Sequence, residues 1–229
     1  MKVSTHQPSG LSAPGLRSPS LFRPLLFTPG LSNPSLWLAA ALVASPLLFS
    51  SPALAHHFAD LGQMKPTWSN GVISGLAHPL LGPDHLVFLL ALSLVALQRR
   101  WGWALGLLLV GLLGGAAGLA WPGLPGAEAL VACTLVVEAL VLLRRLPPVL
   151  LLPAMALHGY VLSVPVFGWS TMPVAAYGAG LLLSQGSLLL VALWLLRPIA
   201  KRLSPANLRW LALALAACGT TWAFSAWAA

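Results

Sequence analysis

Two histidines and an aspartate fall within eight residues of a strongly apolar stretch. The run from His78 to His85 reads His-Pro-Leu-Leu-Gly-Pro-Asp-His, so Asp84 directly precedes the second histidine. Imidazole nitrogens and carboxylate oxygens together form a ligand set suited to a divalent first-row transition metal. Ionisable groups inside a membrane are costly unless they face a partner or a cavity, and they usually mark an ion pathway. The octapeptide therefore predicts that the protein handles a divalent metal within the membrane.

The spacing of the two histidines predicts a break in the helix that carries them. In an unbroken helix, His78 and His85 would lie about 10.5 Å apart along the axis. Two nitrogen ligands of one ion, by contrast, lie within about 4 Å of each other. The two prolines and the glycine between the histidines favour a helix interrupted between His78 and Asp84, as transporters have at substrate sites. We expect Asp84 to be the N-cap of the second half, where its carboxylate offsets the positive helix end.

Two further ionisable residues are expected at the same depth. Counted along the predicted helices, Asp84, His85, Glu138 and His158 all fall near the middle of the membrane. We therefore predict His78, Asp84 and His85 as metal ligands, with His158 and Glu138 as further candidates. Structural alternatives stay open: Asp84 caps a kinked helix, His85 or His158 bonds to the backbone, or Glu138 pairs with a histidine or remains protonated.

The composition identifies the class of protein. Of the 229 residues, 58% are hydrophobic and only 7% are charged, whereas soluble domains have about 25% charged residues. The net charge of +8 comes mainly from basic clusters between apolar segments, the placement expected at the cytoplasmic face of a membrane. We therefore expect an integral membrane protein that does not bind nucleic acid. The sequence has no Walker-type phosphate loop, so the chain does not bind ATP by that device. We expect an ATP-independent transporter, not an enzyme, with no resident cofactor.

Six apolar segments after residue 70 predict an all-α membrane domain with six transmembrane helices. Each is about long enough to cross a ~30 Å hydrocarbon core. Basic residues follow the first, third and fifth segments, and none occurs in the gaps after the second and fourth. The positive-inside rule then places both mature termini outside the cell. The predicted segments are Val72–Leu97, Gly102–Ala120, Ala127–Leu143, Val149–Phe167, Val174–Leu196 and Leu208–Trp227.

The N-terminal region is typical of a secretory signal peptide. Basic residues precede an apolar run from Leu36 to Phe49, which ends in Ala53-Leu54-Ala55. We predict cleavage after Ala55, so that 1–55 is the targeting peptide, 56–71 a short extracytoplasmic segment and 72–229 the six-helix domain. A transit peptide or an uncleaved anchor is the alternative. His56 and His57 would then begin the mature chain and are candidates for capturing metal outside.

These residues resemble the HupE/UreJ family of nickel permeases. The similarity rests on the leader that ends before a histidine, the H-x5-D-H pattern of His78, Asp84 and His85, and six spans. Glu138 in the third span and Leu157-His158-Gly159 in the fourth also look similar to family positions. Two positions depart from the family pattern, because Leu162 and Pro165 stand where the resemblance implies a second histidine and a glutamate.

The resemblance implies uptake of Ni²⁺ or Co²⁺ across the cytoplasmic (inner) membrane of a bacterium. The metal would be the transported substrate, and its destination would be metalloenzyme maturation or a cobalamin pathway. Two other functions stay open at this point. The protein could be a metal sensor or accessory protein that binds without transporting, or histidines on facing helices could ligate haem for electron transfer.

Overall fold

The computed structural model describes residues 65–97 and 101–228. Within these ranges the chain forms seven α-helices and no strand. Short 3-10 turns at Pro148–Leu150 and Val164–Val166 flank the fifth helix. The predicted signal peptide and the residues His56 and His57 lie outside the described ranges. The helices are α1 (Trp68–Leu81), α2 (Pro83–Ala96), α3 (Trp101–Ala120), α4 (Ala127–Leu142), α5 (Leu151–Leu162), α6 (Thr171–Ala200) and α7 (Pro205–Ala228).

The first predicted span is broken, as the histidine spacing indicates. Helices α1 and α2 are bent by 73° relative to each other. They meet at Gly82, whose backbone is extended, with φ −79° and ψ 107°. A residue before proline favours this conformation, and Pro83 then occupies the first position of α2, where no N–H is needed. Helix α1 begins at Trp68, so the end of the predicted 56–71 segment is already helical.

The predicted capping role of Asp84 is wrong. Gly82 is the N-cap of α2 and provides no side-chain hydrogen bond, and Asp84 lies in the first turn as the second helical residue. The reason is Pro83, which takes the first helical position and moves the cap one residue further back. The carboxylate nevertheless remains beside the positive end of α2, where it offsets the helix dipole.

The lengths of the helices bear on the number of spans. Helices α3, α6 and α7, and α5 together with its 3-10 turns, are each long and apolar enough to cross a membrane. The bent pair α1 and α2 makes a fifth candidate. Helix α4, the third predicted span, has 16 residues, or about 24 Å. This is shorter than a ~30 Å hydrocarbon core. The structure thus supports a membrane protein with four to five such spans, and six spans stay a prediction.

The helices pack most extensively in three pairs: α1 with α6, α3 with α5, and α4 with α7. In the first pair, Gly71 faces Pro173, and further along both helices the Ser184 hydroxyl donates to the Leu76 carbonyl at 2.8 Å. Contacts that advance in the same direction on both helices show that α1 and α6 are parallel.

The other two pairs have equally clear directions. In the α3–α5 pair, Gly111 lies against Gly159 and Gly118 lies against Ser163, so these helices are also parallel. Gly126 at the start of α4 approaches Trp227 at the end of α7, so that pair is antiparallel. A chain that crosses the membrane alternately, with α1 and α2 as one crossing, produces this combination of directions.

Helix α2 lies at the centre of the helical assembly. It contacts α1, α3, α4 and α6. Its buried side chains Phe88 and Leu92 belong to the main hydrophobic core, together with Leu107 of α3, Leu135 of α4 and Leu151 of α5. Burial of these large apolar side chains fixes the position of α2, and its first turn is therefore held within the protein interior.

Candidate metal-binding site

Three histidines and an aspartate from three helices form a buried cluster. His78 is in the last turn of α1, Asp84 and His85 are in the first turn of α2, and His158 is in α5. The ring centroids of His78 and His85 are 6.0 Å apart, and those of His85 and His158 are 4.9 Å apart. Oδ1 of Asp84 lies 3.0 Å from Nδ1 of His85. The four side chains form a continuous polar path through an apolar interior.

The break at Gly82 brings the first two histidines together. An unbroken helix would separate them by about 10.5 Å along its axis, whereas their rings are 6.0 Å apart in the bent pair. The missing side chain at Gly82 leaves room for this arrangement. A Cβ atom there would lie 3.2 Å from Nδ1 of His85 and 3.3 Å from Oδ1 of Asp84. A side chain at position 82 would therefore crowd the candidate ligand atoms directly.

The orientation of His158 follows from its neighbours. Phe88 stacks on the imidazole with ring centroids 3.9 Å apart and an angle of 18°. Oγ1 of Thr134 lies 2.8 Å from Nε2 of His158 and donates its single proton to the Val131 carbonyl at 2.6 Å. When the hydroxyl donates to Val131, Nε2–H is the donor to Oγ1, and the neutral ring then carries its proton on Nε2.

This tautomer leaves Nδ1 of His158 with a lone pair. Nδ1 is buried and has no hydrogen-bond partner among the described residues. A metal-binding histidine usually donates its other ring N–H to a protein oxygen, which orients the ring and increases the basicity of the ligand atom. His158 has this arrangement, with Thr134 as the oxygen partner, and Nδ1 is the nitrogen available to a metal.

Glu138 lies near the cluster but is not hydrogen-bonded to it. It follows Thr134 by one helical turn on the same face of α4, about 6 Å along the axis. Its side chain is completely buried, and neither carboxylate oxygen has a hydrogen-bond partner among the described residues. A charged carboxylate in this position is costly unless a cation is near. A cation near the cluster would offset this cost.

Tyr177 of α6 covers the cluster from the side of His78. The two rings are 6.4 Å apart at an angle of 87°. The Tyr177 hydroxyl donates to the Leu162 carbonyl at the end of α5 and so connects α6 with α5. The side chains of the cluster residues are almost inaccessible, from 7% exposed for His78 to 2% for His85 and His158. The cluster is consequently enclosed by the surrounding helices.

Comparison with protein families gives one match that covers most of the chain. A family model described as HupE / UreJ protein matches residues 42–222. The chain belongs to the HupE/UreJ family. This family comprises membrane permeases and accessory proteins associated with the uptake of nickel or cobalt, and it is not a known enzyme family. Comparisons with curated proteins and with solved structures found no match.

The cluster of this HupE/UreJ protein consists of pairs, not of a complete coordination shell. Within residues 65–97 and 101–228, no three histidine, cysteine or acidic side chains are arranged to hold one ion together. Neither of the two residues at which the sequence departs from the expected family pattern has a metal-binding side chain. Leu162 is 1% exposed and packs with Tyr177 and Val166, and Pro165 lies in the 3-10 turn after α5.

Three residues that contact the candidate cluster or lie next to it are not predicted from the sequence. Thr134 has a detectable signal, because it precedes Glu138 by four residues on one helix face. Phe88 follows His85 by three residues, but aromatic side chains are common in apolar helices. Tyr177 is one of only two tyrosines in the chain, although its contact with His78 depends on the packing of α1 against α6.

Proposed function

We propose that this HupE/UreJ protein carries a divalent transition-metal ion, Ni²⁺ or Co²⁺, inward across the membrane without ATP. The arrangement of His158 supports the proposal most strongly. The His158 ring lies next to that of His85, and its Nδ1, whose lone pair suits a metal, has no hydrogen-bond partner among the described residues. A purely structural histidine would use both ring nitrogens in a dry interior.

The proposed route follows the order of the residues from the predicted outer side. The hydrated ion meets His56 and His57, passes Tyr177 and loses water on reaching His78. Asp84 and His85 then bind it at the start of α2. These steps replace water oxygens by imidazole nitrogens and one carboxylate, a ligand set that suits Ni²⁺ and Co²⁺.

The inner half of the proposed route continues through His158 and Glu138. Pairwise spacing of the ligands favours passage from one pair to the next, because a complete shell would bind the ion too tightly to release it. With a divalent cation bound nearby, Asp84 and Glu138 would together supply the two negative charges that match it. His158 lies between the two carboxylates along this route.

The membrane potential provides sufficient driving force for such transport. A divalent ion moving inward gains about 4.6 kcal/mol per 100 mV, since each elementary charge gains about 2.3 kcal/mol. This corresponds to an accumulation of roughly a thousandfold or more. By the Irving–Williams order, we expect Cu²⁺ and Zn²⁺ to compete with Ni²⁺ and Co²⁺ for the same ligands.

Uptake of radiolabelled Ni²⁺ and Co²⁺ tests the proposal in a bacterial host that lacks its own importers. We expect wild type to accumulate metal and Asp84→Asn to lose at least about 90% of the uptake, because neutralising the carboxylate removes a ligand worth about 1.4 kcal/mol or more. Glu128→Gln is the matched control at equal expression, since it removes the same charge near the start of α4, away from the cluster.

The possible outcomes separate transport from other functions. Uptake that is equal in wild type and Asp84→Asn would contradict the proposed site. Metal binding by the purified protein without uptake in cells would instead identify an accessory or sensor protein. An absorption spectrum with a Soret band would indicate haem ligation. The preferred isotope would identify the transported metal.

A further inference from the structure

A second feature of the structure is a cavity at the opposite end of α2 from the metal cluster. Its volume is about 460 Å³, within the range of about 300–1,000 Å³ that is usual for small-molecule sites. Val95 at the end of α2 and Val141 and Leu142 at the end of α4 provide apolar lining. The loop from α4 to α5 contributes Arg144 and Arg145. The cavity therefore combines an apolar wall with two guanidinium groups.

The charge of this cavity is not balanced by the protein. Neither Arg144 nor Arg145 forms an ion pair with any residue that the structure describes. No aspartate or glutamate follows Glu138 in the sequence, so the loop itself carries only positive charge. Both arginines are exposed at the mouth of the cavity. Such a site is suited to an anion supplied from outside the chain.

The backbone at Arg144 adds a second observation. Arg144 has φ +57° and is the only residue other than glycine with positive φ among the described residues. This conformation ends α4, with hydrogen bonds from the Arg144 N–H to the Val141 carbonyl at 2.9 Å and from the Arg145 N–H to the Leu140 carbonyl at 2.8 Å. Glycine would adopt it at lower cost. Arginine at this position places a guanidinium group at the cavity instead.

We propose that the cavity binds the phosphate headgroup of an anionic phospholipid from the inner leaflet. Guanidinium groups bind phosphate oxygens through two parallel hydrogen bonds. The loop carries one of the basic clusters that the positive-inside rule assigns to the cytoplasmic face, where anionic lipids are found. A free phosphate ion would use only the arginines, whereas the glycerol and acyl portions of a lipid also contact Leu146, Pro147 and Pro148, which line the cavity and are partly or fully exposed.

The bound lipid would connect the helices that carry the metal cluster. The cavity is lined by the ends of α2 and α4 and by the loop that leads into α5. Asp84 and His85 lie on α2, Thr134 on α4 and His158 on α5. A headgroup bound at one end of these helices therefore stabilises their relative positions. The lipid site itself does not depend on the proposed metal transport.

Native mass spectrometry of the purified full-length protein tests this proposal. Wild type and variants are taken from nanodiscs of equal parts phosphatidylglycerol and phosphatidylcholine. We expect wild type to retain phosphatidylglycerol, and Arg144→Gln with Arg145→Gln to retain at least about tenfold less, since each lost guanidinium group removes charge-assisted hydrogen bonds to the phosphate. Arg144→Lys with Arg145→Lys keeps the charge but loses the paired hydrogen bonds to phosphate, so we expect it to retain an amount of lipid between those of wild type and the glutamine variant.

A matched control removes two arginines from another basic loop. Arg197→Gln with Arg202→Gln lowers the net charge equally but leaves the cavity lining intact, and we expect it to retain lipid as wild type does. Equal loss in both double variants would overturn the proposal, because the preference would then come from the surface charge alone. Binding of added inorganic phosphate by the wild-type protein, without retention of phosphatidylglycerol, would also overturn the proposal, in favour of a free-anion site.

Discussion

At the scale of single residues, the decisive contact is between Thr134 and His158. The threonine hydroxyl has one proton and gives it to its own helix backbone, which forces the imidazole to be the donor in the second bond. In this arrangement the hydroxyl favours the tautomer of His158 with its proton on Nε2 and leaves Nδ1 with a lone pair. Phe88 contributes by stacking on the ring, which restricts its rotation.

Replacing Thr134 by valine should weaken metal binding without removing a ligand. Valine has nearly the same shape, but it leaves Nε2 of His158 buried without its oxygen partner, a loss of about 1–2 kcal/mol. We expect the apparent affinity for Ni²⁺ in uptake to fall about tenfold, with the amount of folded protein little changed. Initial uptake rates over a range of Ni²⁺ concentrations measure this effect.

Thr220→Val is the matched control for that experiment. The Thr220 hydroxyl is exposed and bonds only to carbonyls of its own helix, those of Ala216 and Ala217. Its loss should leave both the affinity and the maximal rate unchanged. If Thr134→Val behaves like this control, then Thr134 does not orient a metal ligand and His158 acts in some other way.

At the scale of helices, close backbone approach between α3 and α5 positions His158. Gly159 follows the histidine directly, and a Cβ atom there would overlap the backbone of Gly111 on α3. Backbone atoms cannot move aside as a flexible side chain can. The absence of a side chain at Gly159 therefore allows the short distance between α3 and α5. This distance in turn sets the position of the adjacent His158 ring.

Gly159→Ala should consequently destabilise the protein. We expect a loss of about 2 kcal/mol or more in the free energy of unfolding, because overpacking a close contact costs about 1–3 kcal/mol. The thermal midpoint in detergent measures the change. Gly106→Ala on α3 is the control, since a Cβ atom there meets no atom within 4 Å and alanine favours helix formation. Equal midpoints for the two variants would refute the close-packing argument.

At the scale of the whole molecule, three helix pairs meet around α2. The pairs α1–α6, α3–α5 and α4–α7 each have extensive internal contacts, and those between pairs are fewer. Every pair contributes to the site: His78 and Tyr177 from the first, His158 from the second, and Thr134 with Glu138 from the third. Small shifts between the pairs would therefore change the distances between candidate ligands, as alternating access to a central site requires.

The direction of the chain across the membrane can be tested with two matched cysteines. Ser170, before α6, lies in a predicted outer loop, and Ser204, before α7, lies in a predicted inner loop. Both are exposed. In a background where Cys133 and Cys218 are replaced by serine, a membrane-impermeant maleimide should label Ser170→Cys in intact cells. It should label Ser204→Cys only after permeabilisation. The reverse pattern would invert the predicted orientation of both termini.

Local chemistry explains how much of this protein can be predicted from its sequence. Hydropathy locates the helices, because a span must be continuously apolar. Pro83 after Gly82 places the break, because a residue before proline avoids helical backbone. The residue types of His78, Asp84 and His85 suggest a metal, because few charged groups are tolerated in a membrane without a function. Each of these conclusions depends on residues close together in the chain.

Contacts between distant segments required the tertiary structure. Thr134 and His158 are 24 residues apart, and their hydrogen bond exists only because α4 packs against α5. The edge contact of Tyr177 with His78 depends in the same way on α6 lying parallel to α1. The hydrophobic periodicity of the sequence likewise does not reveal the cavity that α2, α4 and Arg144 line. The sequence determined which groups enter the membrane, and packing decided which of them meet, because apolar helices can associate in many ways and small residues at the contacts select among them.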